Sequence, residues 1–433
     1  MIRPSGYIAT ATFLVLTLVT AVAVSGCSSG TPPLIVPNPS ASLGLPAPPA
    51  AGPVNTYFGV QSPGTWILTL DNTKNTFSYK PVTFPTSPNT PASGTIQSSH
   101  GFSVLTSNGT SAGYALEVMG RFAILRPGGV NTPPVFAAPQ TSCYQITGRS
   151  RFQYAAVPAG AAGVVTNPPT FGYGSIVAST DSTGKSWQFE NMQGNVVSGP
   201  ASFTAMCGSD GSLTAINFTG QQSLLNSLWT PSPASVPTAN TGSVISIGPT
   251  GLFVADQSDP TMAQPTGASV AGVIQPTSAL STNDIESKQY LGFVYQGATT
   301  IGLNGVPPTP PITSPVSFGT TLTGGDFPND DVTQNPNSDI IITLGKQDTT
   351  YDGLYLNVSV TLSDPAQNCA NFTGYPSGVA PISGINAQGY NTCTFAGIAV
   401  AGNPEGRYAI FVNSYNWAAR LGGAPMQIYL LQQ

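Results

Sequence analysis

Titratable chemistry is scarce in this chain. It has one histidine, His100, in 433 residues, and only 7% of its residues are charged, against roughly 25% in ordinary soluble domains. One histidine cannot supply the imidazole pair of a zinc protease, and no H-E-x-x-H occurs. There is no run of Lys or Arg, which argues against nucleic acid as a partner. The net charge of −5 is thinly spread. Helix-forming stretches are scarce too, because 48 glycines and 41 prolines leave few long windows without a breaker. Apolar residues still make up 40% of the chain, so low charge does not here mean disorder. Ser, Thr, Asn and Gln must carry solubility, as is common in exported β proteins.

What is present begins at the amino end. A single cation, Arg3, precedes an apolar run from Ile8 to Val24, and small residues follow; this is the layout of an export signal. A spanning helix needs roughly 20 apolar residues and usually charged flanks. The run here is shorter, holds four threonines and meets no further cation until Lys74, so cleavage is expected in place of a helical anchor. The run ends in Val24-Ser25-Gly26-Cys27, which resembles the bacterial lipobox. That resemblance implies removal of residues 1–26, a diacylglycerol on the Cys27 thiol and acylation (palmitate) of the new amino terminus. At roughly 0.8 kcal/mol per buried CH₂, two or more chains on one residue suffice for stable membrane anchoring. Ser28 is not the aspartate that marks inner-membrane retention in this family, so the resemblance implies the outer membrane.

From Ser28 to Pro53 the chain has eight prolines and no charge. Such a segment favours extended, polyproline-like conformations, and its 26 residues would reach roughly 80 Å. Residues 27–53 therefore read as a lipidated cysteine and a stalk. Residues 54–433 form the folded body, with a division near 258–287 left open.

With Cys27 set aside, Cys143, Cys207, Cys369 and Cys393 remain, an even number for an oxidising compartment. Four cysteines allow three pairings. Cys143–Cys207 and Cys369–Cys393 are favoured because they close the shorter loops.

Short β-branched and aromatic runs recur through the body between Gly, Asn, Asp, Ser and Pro clusters, which is the strand signature. Examples are residues 56–61 (TYFGVQ), 65–70 (TWILTL), 114–118 (YALEV), 290–295 (YLGFVY) and 426–431 (MQIYLL). The expected class is all-β. Repeated hairpins, with turns at Asn108-Gly109 and Asp181–Gly184, suit a β-propeller or tandem β barrels or sandwiches with long Pro/Gly-rich loops; the propeller is favoured. Pairing of the first strand with the last would close its ring. The best helix candidates, at 221–228 and 283–288, are short.

Motifs for catalysis fail on context. Gly109-Thr110-Ser111-Ala112-Gly113 matches G-x-S-x-G, but a nucleophile elbow needs a helix after it and a histidine later in the chain, and a strand-like run follows instead. Ser182-Thr183-Gly184-Lys185 matches S-x-x-K without its companion motifs and reads as a hairpin turn. No catalytic residue is assigned. One acidic cluster stands out: Asp326, Asp330, Asp331 and Asp339, interleaved with asparagines, lie within fourteen residues. Such oxygens suit calcium, though the spacing is not that of an EF-hand. The alternative is a solvated loop whose acids cap turns. Trp66, Trp187, Trp229 and Trp417 offer sugar-stacking rings, although Trp66 and Trp187 sit in strand patterns where a core role is expected.

The segments YFGVQSPGTW and GGDFPNDD resemble exported lipoproteins of soil bacteria, a likeness that implies placement and no activity. Two functions stay open. One is a non-enzymatic binding or structural protein of the cell envelope whose partners are the membrane, through its lipid, and a glycan or envelope protein. The other is a carboxylate-dependent glycan hydrolase assisted by calcium.

Overall fold

The computed structural model describes residues 52–433 outside a set of loops, chiefly 82–90, 129–133, 158–170, 220–243, 257–268, 297–311, 327–339, 364–380 and 416–425. Residues 1–51 lie outside the described residues. The described body is antiparallel β throughout, with one short helix.

Eight consecutive strands form the first barrel: β1 (Val54–Gln61), β2 (Gly64–Asp71), β3 (Thr76–Pro81), β4 (Ala92–Ser99), β5 (Phe102–Ser107), β6 (Thr110–Val118), β7 (Phe122–Pro127) and β8 (Val135–Pro139). Each pairs with the next, and β8 returns to β1 with Phe136 opposite Val60 and Pro139 opposite Tyr57. The tight turns follow from local chemistry. Between β4 and β5, His100 and Gly101 have φ of 49° and 84°; between β5 and β6, Asn108 and Gly109 have 50° and 78°. Two successive left-handed residues make the turn whose twist matches a hairpin.

The second barrel repeats this plan with β9 (Ser150–Val157), β10 (Gly172–Thr180), β11 (Ser186–Gly194), β12 (Val197–Cys207), β13 (Leu213–Thr219), β14 (Val244–Ile247), β15 (Leu252–Asp256) and β16 (Ser269–Ile274). Here β16 pairs back onto β9, from Ser269 opposite Val157 to Ile274 opposite Phe152. Gly272 faces Phe253 across the β15–β16 ladder, and a Cβ there would lie 1.8 Å from the ring. Only glycine leaves that aromatic its place in the interior.

A helix, α1 (Thr282–Glu286), leads into the third sheet: β17 (Tyr290–Gln296), β18 (Ile312–Phe318), β19 (Gly325–Asp326), β20 (Ile340–Thr343), β21 (Leu354–Ser363), β22 (Ile382–Ile385), β23 (Asn391–Gly402), β24 (Ala409–Ser414) and β25 (Met426–Gln432). Direct β21–β23 pairing closes this sheet into a ring and leaves β22 outside it, bonded to the start of β23.

The all-β expectation and its tandem-barrel arrangement hold, and the favoured propeller does not. A propeller needs separate small sheets fanned about an axis. In this chain the hydrogen-bond ladder instead runs unbroken around each group of consecutive strands and closes on itself. The expected pairing of first and last strands is also overturned. β1 is satisfied by β2 and β8, and β25 by β17 and β24. Each barrel removes its own edges, so no long-range closure is needed.

Burial explains the sequence patterns. Alternate residues fill each barrel: Tyr57, Trp66, Leu68 and Tyr79 in the first, Phe152, Trp187 and Phe189 in the second, Phe318, Val360 and Phe395 in the third. The opposite faces of some strands meet in a further apolar cluster drawn from all three barrels. Phe122, Ile124 and Phe136 come from the first, Leu252, Val254 and Val273 from the second, and Phe293, Phe411 and Tyr429 from the third. Strands touching this junction are buried on both faces, as in β24 and in β25 up to Leu431, whereas β4 alternates and keeps a polar outer face.

Phe411 sits at this junction, 4% exposed, with its ring centroid 6.4 Å from that of Phe136 and 5.4 Å from that of Tyr429. Phe411→Ala is expected to cost about 3–5 kcal/mol in denaturant unfolding. Ile382→Ala on β22, where Ile382 is 72% exposed, should stay within about 0.5 kcal/mol. Equal midpoints for the two variants would contradict this account of the junction.

Candidate functional site

Most sequence-predicted site residues fall outside the described part. Val24, Ser25, Gly26 and Cys27 do, as do Asp330, Asp331 and Asp339. Of the acidic cluster only Asp326 is placed, by its backbone, in β19 opposite Ser317. Among the described residues no three His, Cys, Asp or Glu side chains come together as a metal-binding group. Cys207 and Cys393 are each engaged in a disulfide, and Cys143 and Cys369 lie outside the described residues. Cys207 packs against the second barrel's core, and Cys393 is buried in the third's.

The rejected motifs prove to be turns. The G-x-S-x-G match starts in the β5–β6 turn and runs into β6, so no elbow forms. At the S-x-x-K match, Asp181 Oδ1 accepts from the Thr183 and Lys185 amides at 3.0 and 3.1 Å and closes the β10–β11 turn. His100 is exposed, its Nδ1 3.0 Å from Ser99 Oγ. Trp66 and Trp187 are 3% and 1% exposed inside their barrels, with the Trp187 indole donating to the Gly184 carbonyl at 3.2 Å. Neither presents a face for a sugar. Trp229 and Trp417 lie outside the described residues.

Two polar clusters that the sequence reading missed hold the ends of barrels. In the first barrel, Glu117 at the close of β6 accepts from the Tyr57 hydroxyl at 2.5 Å, from Asn55 Nδ2 at 3.1 Å and from Asn72 Nδ2 at 2.9 Å. The Tyr57 oxygen in turn accepts from the Gly120 amide at 3.0 Å. Burial first, and the Glu117 carboxylate second, push the Tyr57 hydroxyl far above its ordinary range, so it stays a donor. The only sequence signal was a lone carboxylate inside the apolar run YALEV.

In the third barrel α1 is the plug. Ser281 caps it by accepting from the Asp284 amide at 3.2 Å, as an N-cap serine does. Ile285 enters the core fully buried, and the Tyr290 hydroxyl donates to its carbonyl at 2.8 Å. The Asp284 carboxylate accepts from the Tyr408 hydroxyl at 2.5 Å and pairs with Lys288 Nζ at 2.8 Å. Glu286 accepts from the Leu344 amide at 3.3 Å. These carboxylates are engaged in holding the plug. Burial, then the bond to Asp284, raises the Tyr408 hydroxyl above its ordinary range.

No protein-family model matches the chain, and no curated protein matches it. Among solved structures it is similar to a protein of unknown function from the DUF3598 family of Nostoc punctiforme, with 9% identity over 68% of this chain and 98% of that one, at a TM-score of 0.20. It is also similar to a double mutant of the vaccine antigen transferrin binding protein B from Haemophilus parasuis, with 8% identity over 88% of this chain and 75% of that one, at a TM-score of 0.23. At these scores neither likeness carries an argument about fold or function.

The plug generates a pH prediction. Hydrogen bonding to Lys288, then to Tyr408, holds the Asp284 carboxyl below its usual range. A depressed folded-state pKa gives stability that is complete above the unfolded value, near 4, and is lost as pH falls through the folded value. The side chain is 45% exposed, so solvent screening keeps the contribution to about 1 kcal/mol or less. Asp284→Asn is therefore expected to lower stability slightly at pH 7 and to converge with the parent below about pH 4. A constant gap down to pH 2 would contradict the assignment.

Proposed function

We propose that the protein is an exported lipoprotein, anchored through Cys27 at the outer membrane, whose folded body binds a glycan or protein of the cell envelope without catalysing a reaction. The observation that carries this reading is that the barrels are filled. Barrels that hold small ligands keep an open interior; these interiors are packed with Tyr57, Trp66, Trp187, Phe189 and Phe395. Contact with a partner then falls to the outer walls and loops, where the exposed side chains of β4 and β11, such as Thr95, Gln97 and Gln188, are polar and uncharged. A filled apolar interior with polar outer faces on β4 and β11 is the reverse of a membrane-spanning barrel, so in this reading membrane attachment rests on the lipid. The lipobox-like Val24-Ser25-Gly26-Cys27 supplies its site.

The full chain, crosslinked in cells and solubilised from membranes, is expected to carry an envelope glycan or protein with it. Cys27→Ala should move the chain to the soluble fraction. Unchanged membrane retention of the variant would remove the anchor, and release of reducing sugar from envelope glycan by the purified chain would remove the non-enzymatic reading.

The same compartment favours two disulfides. Ile146, three residues after Cys143, donates its amide to Thr180 Oγ1 at 2.9 Å at the end of the second barrel where the Cys207 amide reaches the Lys185 carbonyl at 2.8 Å. Cys393 faces Leu362 across the β21–β23 ladder, and Cys369 follows shortly after β21 ends. We infer the pairs Cys143–Cys207 and Cys369–Cys393. Non-reducing peptide mapping should recover these two linked peptides, and any crossed pair would overturn the assignment.

A further inference from the structure

The junction where the three barrels meet is lined mostly by apolar side chains, and on the wall of the second barrel it meets a fully buried amide. Gln153, in the middle of β9, is 0% exposed, and neither its Nε2 nor its Oε1 reaches a hydrogen-bond partner in the protein. Its neighbours Phe152 and Tyr154 point into the barrel, so the strand's alternation turns Gln153 outward, onto the side where β9 packs against β23 and β24. A carboxamide offers two donors and one oxygen with two acceptor sites. Buried polar groups are almost always satisfied, by protein or by ordered water.

The residue opposite completes the picture. Ser175 of β10 is the register partner of Gln153 and is also 0% exposed. Its Oγ accepts from Arg151 Nη1 at 3.1 Å, which leaves the serine proton free to donate. Opposed residues on adjacent strands have Cβ atoms only about 4.5–5.5 Å apart, yet these two side chains make no bond to each other. On the other flank Gln153 faces Val273 of β16, and Val273 touches Gly402, whose neighbour Asn403 has a buried, unpartnered Oδ1.

We propose that the seam between the second and third barrels is a binding site for a water molecule, held by Gln153 and Ser175 at the end of a hydrogen-bond chain from Arg151. The chemistry selects the occupant. It must accept from Ser175 or from Gln153 Nε2 and donate to Gln153 Oε1, so it carries both donors and acceptors. It is neutral, because a simple anion has no proton to donate to Gln153 Oε1 and a cation beside the Arg151 guanidinium would be repelled. It is small, because both side chains are sealed from solvent. Water meets all three conditions, and buried waters of this kind typically make about three hydrogen bonds.

The test has two arms on the full chain. A crystal structure at about 1.6 Å should show a water peak within hydrogen-bond distance of both the Gln153 amide and Ser175 Oγ. A Gln153 amide turned onto a backbone group, with no peak between the two side chains, would overturn the site. In the second arm, near-isosteric Gln153→Met and the small change Ser175→Ala are each expected to lower Tm by about 2–4 °C. The double variant should fall by clearly less than the sum, since both single changes break one chain. A rise in Tm for Gln153→Met would mean the amide was never satisfied, and strictly additive losses would mean the two side chains share no molecule; either result sinks the proposal.

Discussion

The structure depends on one constraint: the outer walls of three closed barrels share an apolar junction. A barrel that stands alone in water needs only its interior side chains to be apolar. Here β7, β8, β24 and β25 are buried on both faces nearly throughout, and their outward residues Phe122, Ile124, Phe136, Phe411, Tyr429 and Leu431 form a common core with Leu252, Val254 and Val273. This second core joins the three barrels of the described residues into one unit. It also explains a composition that is 40% apolar with little charge, because a large share of the barrel surface never meets solvent.

Because the interiors and the junction are apolar, polar chemistry is pushed to the barrel ends and the strand turns. Glu117, Asp284 and Glu286 are engaged by tyrosine hydroxyls, asparagine amides and a backbone amide. Asp71, Asp181 and Asp348 close turns by accepting from backbone amides two or three residues on. Removing either partner of such a bond leaves a desolvated group behind, which costs more than the bond itself contributes. These carboxylates are thus placed where structure needs them.

Much of this was legible from residues alone, and the exceptions share a cause. Runs such as TWILTL and YALEV announce their strands, and Asn108-Gly109 announces its turn, because β-branched side chains and left-handed turn residues act locally. The strands that escaped notice are β4 (ASGTIQSS), β8 (VFAAP), β9 (SRFQYAAV), β12 (VSGPASFTAMC), β16 (SVAGVI), β18 (ITSPVSF), β19 (GD) and β22 (ISGI). They are rich in Ala, Ser and Gly, or carry a proline. Small residues such as Ala155 and Ala271 lie at the junction, where sheets from different barrels pack together. Pro315 is tolerated in β18 because β19 pairs only with Ser317 and Phe318, so no ladder is interrupted on that side. Strand propensity reflects a pleated, half-buried surface, and β8, β9 and β16 are selected instead by close packing at the junction. The ring closures were illegible for the same reason: which strand meets which is decided by the sum of eight registers, not by any one segment.

The polar clusters were harder still to read. Glu117 is one carboxylate in an apolar run, and Gln153 one amide between two aromatics; each acquires meaning only when the register places Tyr57 or Ser175 beside it. A chain so poor in charge signals its function weakly, since the features that betray most active sites are titratable groups in unusual company. Among the described residues the groups raised by burial are tyrosines such as Tyr57 and Tyr408, while Asp284 is held low by Lys288 and Tyr408; a tyrosine kept protonated donates a hydrogen bond but abstracts no proton. The physical chemistry of these described sites is therefore that of holding barrels shut.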